Sequence, residues 1–361
     1  MRRSSLALVE SATQLLNVAE WAYASGEADD VTVCVLPPRD AHTVRQMARV
    51  AELVSGLGLE LATYPVRSRT PAAALATARV LHAMSRTRRL IVGDPFSRYI
   101  QTLLPSVSAP QIVVVDDGTA TWEFAKCIDA GAPLVRWEVP LAGAERRATR
   151  AGRSFSPSPT RELTVFTCLN DAAPLAAVAL ANRYEWTRSW SRPEVVEDEV
   201  DLLGVSLVDT GVVARRPYVD AVAGLARAYG PLRYFAHRRE SENLLAEIAT
   251  LPGVRVVRSD LPVELALRRG PVARRVITFP STAAHTLPVV LGDVGVTVDV
   301  RAVDPAWFTP ATTKHAREFV ARIAGNLDLC TPHSPTSRPT TTSGSPLMRS
   351  ARSANSARGR R

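Results

Sequence analysis

The 361-residue sequence has little that would tie it to a membrane or to a disulfide framework. No apolar run approaches the roughly 20 residues that a membrane-spanning helix needs. The four cysteines, Cys34, Cys127, Cys168 and Cys330, are scattered and form no CxxC pair, so neither disulfides nor a zinc site are predicted. Glu10 interrupts the apolar stretch after the basic start, which argues against a signal peptide. We therefore expect a cytoplasmic protein with reduced thiols.

Acidic residues are also missing from the C-terminal end, 331–361. This end holds six arginines among serine, threonine and proline, so the net charge of +9 leaves only +3 for the rest of the chain. Its composition is typical of a disordered tail, and such a basic tail suits peripheral contact with an anionic membrane surface on the cytoplasmic side. Aromatic residues make up only 6% of the chain and are not interleaved with basic ones, so no nucleic-acid partner is expected.

Apolar segments of strand length alternate with helical patterns along the remaining chain. This alternation predicts an α/β protein with parallel sheets covered by helices on both faces. A first series of predicted strands covers 6–10, 31–36, 59–64, 89–93 and 111–115. A second series covers 163–169, 201–205, 232–237, 254–259, 274–280 and 294–300. The helices predicted after the first series include 172–183 and 312–324.

Two polar stretches are interpreted as connections, 144–161 between the two series and 193–201 within the second. The segment 144–161 is rich in arginine, serine and proline and is interpreted as a linker, and the acidic segment 193–201 as an exposed connection. We therefore predict two doubly wound, Rossmann-like domains that face a central cleft. Their bounds are 1–150 and 162–330, followed by the tail at 331–361.

The stretch IVVVDDGTAT places two acids and a glycine at the end of a predicted buried strand. Ligands of open parallel sheets bind beyond the carboxyl ends of the strands. A carboxylate there, Asp116 or Asp117, can act as a general base if its surroundings raise its pKa. Gly118 would let the backbone turn sharply and let a ligand approach. The alternative is an aspartate that caps the next helix.

His237 ends another predicted strand, 232–237, and Arg238 follows it in the stretch LRYFAHRRE. A histidine beside two guanidinium groups is suited to a phosphate, to which it could donate a hydrogen bond or a proton. The alternative is a half-exposed histidine without a role.

Three further polar residues stand at predicted helix starts. Ser281 and Thr282 join the strand 274–280 to a helix, where two hydroxyls and free N–H groups can bind an anion. Glu264 lies near the start of another helix and could accept the hydroxyls of a ribose. The alternatives are a helix cap by Ser281 and a helix-dipole contact by Glu264.

The order of these motifs resembles that of the bacterial GT-B sialyltransferases, in particular the lipooligosaccharide sialyltransferase and polysialyltransferase families. Those families have an acid–acid–Gly motif, a His-Pro motif and a Ser-Ser or Ser-Thr motif. The matching residues are Asp116, Asp117 and Gly118, then His237, then Ser281 and Thr282. The stretch SATQLLNVAE at 11–20 also resembles the family's first loop, with Gln14 and Asn17 near the acceptor side of the cleft. The resemblance covers roughly residues 5–325, and it departs from the pattern at Arg238, where the family has proline.

The resemblance implies an inverting, metal-independent transfer of sialic acid from the donor substrate CMP-sialic acid to a hydroxyl of a glycan or glycolipid acceptor, without a cofactor. Asp117, with Asp116 as the less favoured choice, would take the acceptor's proton, and His237 would assist the departing phosphate. The donor would be bound by Gly118, Arg238, Glu264, Ser281 and Thr282. The alternatives are a GT-B enzyme with another nucleotide-sugar donor and a catalytically silent nucleotide-sugar-binding protein.

Overall fold

The computed structural model of the protein describes residues 3–136 and 143–325. The first sheet contains β1 (Ser5–Val9), β2 (Val31–Val35), β3 (Glu60–Thr63), β4 (Arg89–Val92), β5 (Gln111–Val115), β6 (Glu162–Thr167) and β7 (Val178–Ala181). These strands are parallel and stand in the order β3-β2-β1-β4-β5-β6-β7. The central strands are buried along their length, as expected of short β-branched runs with helices on both faces.

The helices of this half are α1 (Ala12–Ser25), α2 (Ala41–Val54), α3 (Pro71–Ser85), α4 (Arg98–Leu103), α5 (Ala120–Asp129), α6 (Glu145–Phe155) and α7 (Glu185–Arg188). Three of the longest helices are preceded by a residue whose side-chain oxygen accepts a hydrogen bond from a backbone N–H group of the first turn. Ser11 caps α1, Asp40 caps α2 and Thr70 caps α3.

The second sheet contains β8 (Val195–Leu203), β9 (Leu232–Phe235), β10 (Val254–Val257), β11 (Val272–Thr278) and β12 (Thr297–Val300). Its parallel strands stand in the order β10-β9-β8-β11-β12. The accompanying helices are α8 (Arg215–Tyr229), α9 (Glu242–Ala249), α10 (Val263–Arg269), α11 (Ala283–Val290) and α12 (Lys314–Gly325). The prediction of two doubly wound, Rossmann-like sheets is confirmed.

In each sheet the order in which successive strands are added reverses between two neighbouring parallel strands. These are β1 and β4 in the first sheet and β8 and β11 in the second. Such a reversal opens a crevice at the carboxyl ends of the strands, because the two connecting helices leave toward opposite faces. The candidate site residues follow these strands and their neighbours. The fold therefore brings the two sets of strand ends together.

Two predictions about the middle of the chain are wrong. The strand expected at 163–169 to open the second domain is β6, which pairs with β5 in the first sheet. The helix expected at 172–183 is replaced by β7 at 178–181. Alanine and leucine favour a helix locally, but the ladder from Thr164–Val178 to Thr167–Ala181 outweighs that preference. The change of sheet therefore lies between β7 and β8, and not between 150 and 162.

The two segments predicted to be connections are regular elements. The supposed linker 144–161 contains α6, whose Ala148, Ala151 and Phe155 are buried at helical spacing. The acidic segment 193–201 contains most of β8, whose residues 195–199 are exposed or half-buried and which pairs with β11. The polar composition of both segments concealed their regular structure from sequence analysis, because α6 buries only one narrow face and β8 buries only its C-terminal end.

Helix α12 lies at the predicted helix 312–324 and returns from the second half toward the first. Its Val320 packs with the core of the second half, whereas Ile323 packs with Trp122 and Leu169 of the first. The predicted tail at 331–361 lies outside the described residues. None of the described helices is long and apolar enough to cross a membrane.

Candidate active site

The predicted strand-end residues meet in one cleft between the two sheets. Three adjoining cavities of about 220, 460 and 180 Å³ lie there, and His237 and Thr282 line all three. We call the first the inner cavity; its wall includes Glu264 and Ser281. We call the second the polar chamber. Its charged lining residues are Glu10, Asp40, Arg67, Asp94, Asp117, Arg136, Arg238 and Arg239.

Asp117 follows β5 and lines both the inner cavity and the polar chamber. Gln14 donates from Nε2 to its Oδ1 at 2.9 Å, and Arg136 donates from Nη2 to its Oδ2 at 2.7 Å. Each carboxylate oxygen keeps a second lone pair. The carboxylate is therefore fixed in direction by two donors while it remains able to accept a proton or a hydrogen bond from the cleft.

Arg136 and Asp94 complete this arrangement, and sequence reasoning missed both. The same Nη2 of Arg136 lies 3.1 Å from Oδ1 of Asp94, and its guanidinium lies over the ring of Phe96. Burial and the charge of Asp117 raise the pKa of Asp94. Asp94 follows β4 as Asp117 follows β5, so the strand-end pattern could have revealed it. Arg136 lies in a segment without regular structure, and no pattern marked it.

Asp116, the second predicted catalytic acid, is turned into the interior and is only 2% exposed. Its carboxylate accepts from Cys168 N at 2.8 Å and from the hydroxyls of Thr121 and Thr167. Burial raises its pKa to about 6. Asp116 lines none of the three cavities. Its contacts hold the ends of β5 and β6 together, so its place is structural and the expectation of a catalytic role is corrected.

Gln14 lies at the cleft as predicted, whereas Asn17 does not. Gln14 accepts from Glu10 N through Oε1 at 2.7 Å and lines the polar chamber. Asn17 is 1% exposed, donates to Asp116 O at 2.9 Å and accepts from Asn182 at 3.0 Å. Asn17 therefore supports the turn after β5 from behind, because it lies one helical turn further from the cleft.

Gly118 approaches Thr282 of the second half closely. Its φ is +70°, and a Cβ there would stand 2.5 Å from Oγ1 of Thr282. Thr119 N donates to that Oγ1 at 3.1 Å. Only glycine satisfies both the left-handed backbone and the close approach. The hydroxyl hydrogen of Thr282 stays available as a donor to a ligand.

His237 follows β9 and faces Asp117 across the cleft. Arg239 N donates to its Nδ1 at 3.2 Å, which places the ring proton of the neutral imidazole on Nε2. Burial in the cleft and the charges of Arg238 and Arg239 lower the pKa of His237 to about 3. The resting imidazole is therefore an N–H donor, and protonation requires a nearby anion that raises its pKa.

A buried network supports the loop that carries His237. The backbone N–H of His237 donates to Oε2 of Glu240 at 2.7 Å, and Tyr234 donates its hydroxyl to the same carboxyl group. Tyr218 extends the chain of hydroxyls at 2.7 Å. Gly204 faces this carboxyl, since a Cβ there would lie 2.3 Å from Oε2. Burial raises the pKa of Glu240 to about 7. Sequence reasoning did not identify Glu240.

The predicted nucleotide-side residues surround the inner cavity. Glu264 lies in the first turn of α10, is 5% exposed and accepts from the Thr286 hydroxyl at 2.7 Å. Burial raises its pKa. The Ser281 hydroxyl lies 3.0 Å from that of Thr278, and no side chain of the described structure caps α11. The hydroxyls before α11 are therefore not used as caps, and they adjoin the free N–H groups of its first turn.

Arg238 and Arg239 add positive charge to the cleft. Within the described part of the chain, neither guanidinium forms an ion pair. Two such groups beside a neutral imidazole make a suitable environment for an anionic ligand. Among the described residues, no group of three or more histidine, cysteine, aspartate or glutamate side chains is arranged to hold a metal ion.

No protein-family model and no curated protein matches the chain. An alpha/beta-galactoside alpha-2,3-sialyltransferase from Photobacterium phosphoreum is similar in structure, with a TM-score of 0.54 at 10% identity over 90% of this chain and 95% of that chain. A putative UDP-N-acetylglucosamine 2-epimerase from Listeria monocytogenes has a TM-score of 0.51 at 10% identity over 91% and 90%. The UDP-GlcNAc 2-epimerase from Neisseria meningitidis, bound to UDP-GlcNAc, has a TM-score of 0.50 at 9% identity over 90% of both chains. The chain therefore has the GT-B fold.

Proposed function

We propose that this protein is an inverting, metal-independent glycosyltransferase that moves sialic acid from CMP-sialic acid to a hydroxyl of a glycan or glycolipid acceptor. One observation carries the proposal. Asp117 on the first half faces His237, Ser281 and Thr282 on the second across a single cleft. A one-step glycosyl transfer requires an oriented carboxylate that faces a set of hydrogen-bond donors to the leaving phosphate.

In the proposed reaction, Asp117 accepts the proton of the acceptor hydroxyl as that oxygen bonds to the anomeric carbon. The bond from the anomeric carbon to the phosphate oxygen breaks on the opposite face, and CMP leaves with the bonding electrons. Inversion follows from this single displacement. Asp117 then releases its proton to solvent. Arg136 and Gln14 keep the carboxylate directed into the cleft throughout.

The second half would stabilise the charge that develops on the leaving phosphate. His237 donates from Nε2, and the Ser281 and Thr282 hydroxyls donate beside the start of α11. Arg238 brings a positive charge to a position where the resembling families have proline. Glu264 faces the same inner cavity and would hold the ribose hydroxyls. Such preorganised hydrogen-bond donors stabilise the developing charge most strongly in a cleft from which water is excluded.

The decisive test is mass spectrometry of products formed from CMP-sialic acid and a panel of glycan acceptors. The expected result is an acceptor heavier by one sialic acid residue together with one CMP, and about 10²–10⁴-fold slower formation of both with Asp117→Asn. Titration with CMP, UDP and GDP distinguishes the donor classes. Preference for UDP or GDP would favour another nucleotide-sugar donor, and CMP binding without turnover would favour a silent binding protein.

A second candidate is epimerisation of a nucleotide sugar. It is favoured by the group of carboxyl groups formed by Glu10, Asp94 and Asp117 on one wall of the polar chamber. Inverting a carbon that bears hydrogen requires removal of a proton and its return from solvent. A reaction in D₂O therefore separates the two candidates. Deuterium in an intact nucleotide sugar would indicate epimerisation, whereas free CMP and a modified acceptor would indicate transfer.

We further propose that the enzyme works on the cytoplasmic side of the membrane, where nucleotide sugars are made, and meets a glycolipid acceptor at the anionic surface. The support is the basic composition of 331–361. Sedimentation with anionic and neutral vesicles tests this placement. Binding to the anionic vesicles should weaken with salt and be lost when the tail is removed.

A further inference from the structure

The outer edge of β7 differs from the other open sheet edges of the described structure. The edge strands are β3 and β7 in the first sheet and β10 and β12 in the second. Charged side chains stand on three of them and hinder pairing with another chain: Glu60 in β3, Arg255 in β10 and Asp299 in β12. Strand β7 reads VALA, and the sequence has no charged residue from 172 to 182. Such an unprotected edge favours pairing with a further strand.

The side chains along this edge are apolar and face solvent in the described structure. Leu175, just before β7, is 93% exposed, Val178 is 46% exposed and Leu180 is 44% exposed. Every residue of β7 is exposed, so no described element covers the strand. Single exposed apolar side chains are ordinary on a protein surface, whereas a group of them marks an interaction site.

The backbone groups of β7 face in two directions. Asn182, just after the strand, donates its N–H to Thr167 O of β6 at 2.9 Å. Successive residues of a strand direct their N–H and C=O groups to opposite edges, so those of Val178 and Leu180 also face β6. The N–H and C=O groups of Ala179 and Ala181 therefore face outward, where no described strand pairs with them.

These outward groups are complementary to a second copy of the same strand. When two copies lie antiparallel about a twofold axis at Leu180, Ala179 of each copy lies opposite Ala181 of the other. Each of these pairs exchanges both of its N–H···O hydrogen bonds. This register pairs all the outward groups of β7 with one another, and it places Leu180 directly against Leu180 of the second copy. Because the strand has no charge, identical copies meet there without repulsion.

The surface beside β7 enlarges this contact beyond the strand. A stable dimer needs roughly 800 Å² of surface from each copy, which one short strand does not supply. A groove of about 500 Å³ adjoins the start of β7, and its lining includes Pro157, Pro159 and Val178. In antiparallel copies, the segment after β7 of one copy lies beside this groove and beside the exposed Leu175 of the other. The strand, the groove and Leu175 therefore contribute to the buried area together.

We propose that β7 is a homodimer interface, at which two copies of this chain pair their β7 strands antiparallel and join their first sheets into one. The occupant of the edge is a second copy, because the hydrogen-bonding direction, the register and the lack of charge all suit the strand's own sequence. The proposal does not rest on the proposed sugar transfer, since it uses none of the cleft residues.

Sedimentation velocity of the full chain from about 1 to 100 µM tests the association. The parent should form a dimer in this range. Ala179→Pro removes an N–H that the ladder with β6 does not use, so the fold should be kept. Each dimer then loses two hydrogen bonds by symmetry, and its dissociation constant should rise about tenfold or more.

A charge exchange at Leu180 tests the register. Leu180→Lys and Leu180→Glu each put like charges opposite one another at the twofold axis, so each variant alone should be monomeric. An equimolar mixture of the two should restore a dimer, which general damage to the strand would not allow. Leu75→Lys changes an exposed leucine on α3 in the same way and should leave the dimer intact.

Three results would overturn the proposal. A parent chain that stays monomeric over the whole range would show that β7 does not pair with a second copy. A dimer that survives Ala179→Pro, Leu180→Lys and Leu180→Glu alike would lie on another surface. A dimer that forms only after removal of 331–361 would show that the tail occupies this edge in the full chain.

Discussion

Asp116 and Asp117 are neighbours in the chain, yet their carboxyl groups lie in opposite environments. Asp116 is enclosed by donors from α5 and β6, whereas Asp117 faces a cleft and is aimed by Gln14 and Arg136. The motif and its position after a strand predicted that a carboxylate would reach the cleft. They could not predict which one, because the direction of each side chain depends on how Gly118 turns the backbone.

The sequence revealed other site residues to the extent that they follow the strand-end pattern. His237, Ser281 and Thr282 were predicted and do line the cleft. Arg136 and Arg67 were not, because each reaches the site from an irregular loop. Their roles depend on contacts with residues that are distant in the sequence, and no local pattern encodes such contacts.

The two aspartates should respond differently to the same substitution. Asp117→Asn keeps the shape and removes the base, so transfer should fall about 10²–10⁴-fold while CMP affinity stays near that of the parent. Asp116→Asn turns one acceptor oxygen into a donor facing other donors, so it should lower stability by about 1–3 kcal/mol. Steady-state rates, CMP calorimetry and thermal melts measure these effects. Parent-like transfer by Asp117→Asn, with loss of transfer in a fully stable Asp116→Asn, would exchange the two roles.

Elements were predicted well where burial is continuous and poorly where it is partial. The strands β1, β2, β4 and β5 are each apolar at all but one position, and each was predicted. Helix α6 buries mainly Ala148, Ala151 and Phe155 among charged residues, and β7 is an exposed edge strand of alanine, valine and leucine. In β7 the local composition favours a helix, and pairing with β6 decides the outcome. In α6 the residues themselves favour a helix, but the narrow buried face gave only a weak apolar pattern.

The start of α11 gives a prediction about the donor phosphate. Replacing Ser281 and Thr282 together by Ala removes two hydroxyl donors, each worth roughly 1.5–3 kcal/mol toward a charged group. CMP binding should weaken strongly in calorimetry, whereas binding of cytidine, which lacks the phosphate, should change little. Equal losses for both ligands would show that the variant disturbs the cavity in general, and unchanged CMP affinity would place the phosphate elsewhere.

The turn between β9 and α9 should make stability depend on pH through Glu240. Its pKa is raised from 4.5 to about 7 by burial. The folded state therefore gains stability from the protonated group below pH 4.5, and this gain is lost as the pH rises to about 7, at roughly 1.4 kcal/mol per pH unit. The raised pKa values of Glu10 and Asp116 likewise make the folded state lose stability as the pH rises. The lowered pKa of His237 has the opposite effect, because it makes the folded state lose stability as the pH falls below 6.5.

Urea unfolding at pH 5 and pH 8 isolates the contribution of Glu240 to this pH dependence. From pH 5 to pH 8 the free energy of unfolding of Glu240→Gln should rise relative to that of the parent, because the variant has no carboxyl group to ionise. Glu247→Gln, an exposed change on the same helix, serves as the control. The same pH trend in both variants would show that Glu240 is not responsible.

At the scale of the whole molecule, the chain joins its halves by a continuous apolar core as well as by the cleft. Leu15 and Leu16 of α1 belong to the same buried cluster as Leu265 of α10 and Leu287 of α11. Alternating strands and helices predicted two sheets and a cleft. They could not predict this shared core, because the residues that build it belong to elements far apart in the sequence.

Helix α12 joins the halves at a second place, and its two contacts differ in kind. Val320 packs with the second half, whereas Ile323, 3% exposed, packs with Trp122, Leu169 and Ala172 of the first. If this contact helps to keep the cleft closed, Ile323→Asp should open it, because an unpaired carboxylate is costly to bury there. Small-angle X-ray scattering should show a larger radius of gyration. Ala321→Asp places the same group on the exposed face of the helix and should leave the radius unchanged.

The same variant separates donor binding from transfer. The proposed CMP contacts all belong to the second half, so Ile323→Asp should bind CMP nearly as tightly as the parent does. Transfer should nevertheless fall, since Asp117 is carried by the half that moves away and a displacement of about 1 Å can cost on the order of 10²-fold in rate. If Ile323→Asp enlarges the molecule yet transfers sugar at the parent rate, closure at α12 does not position the base, and the contact between Gly118 and Thr282 must suffice on its own.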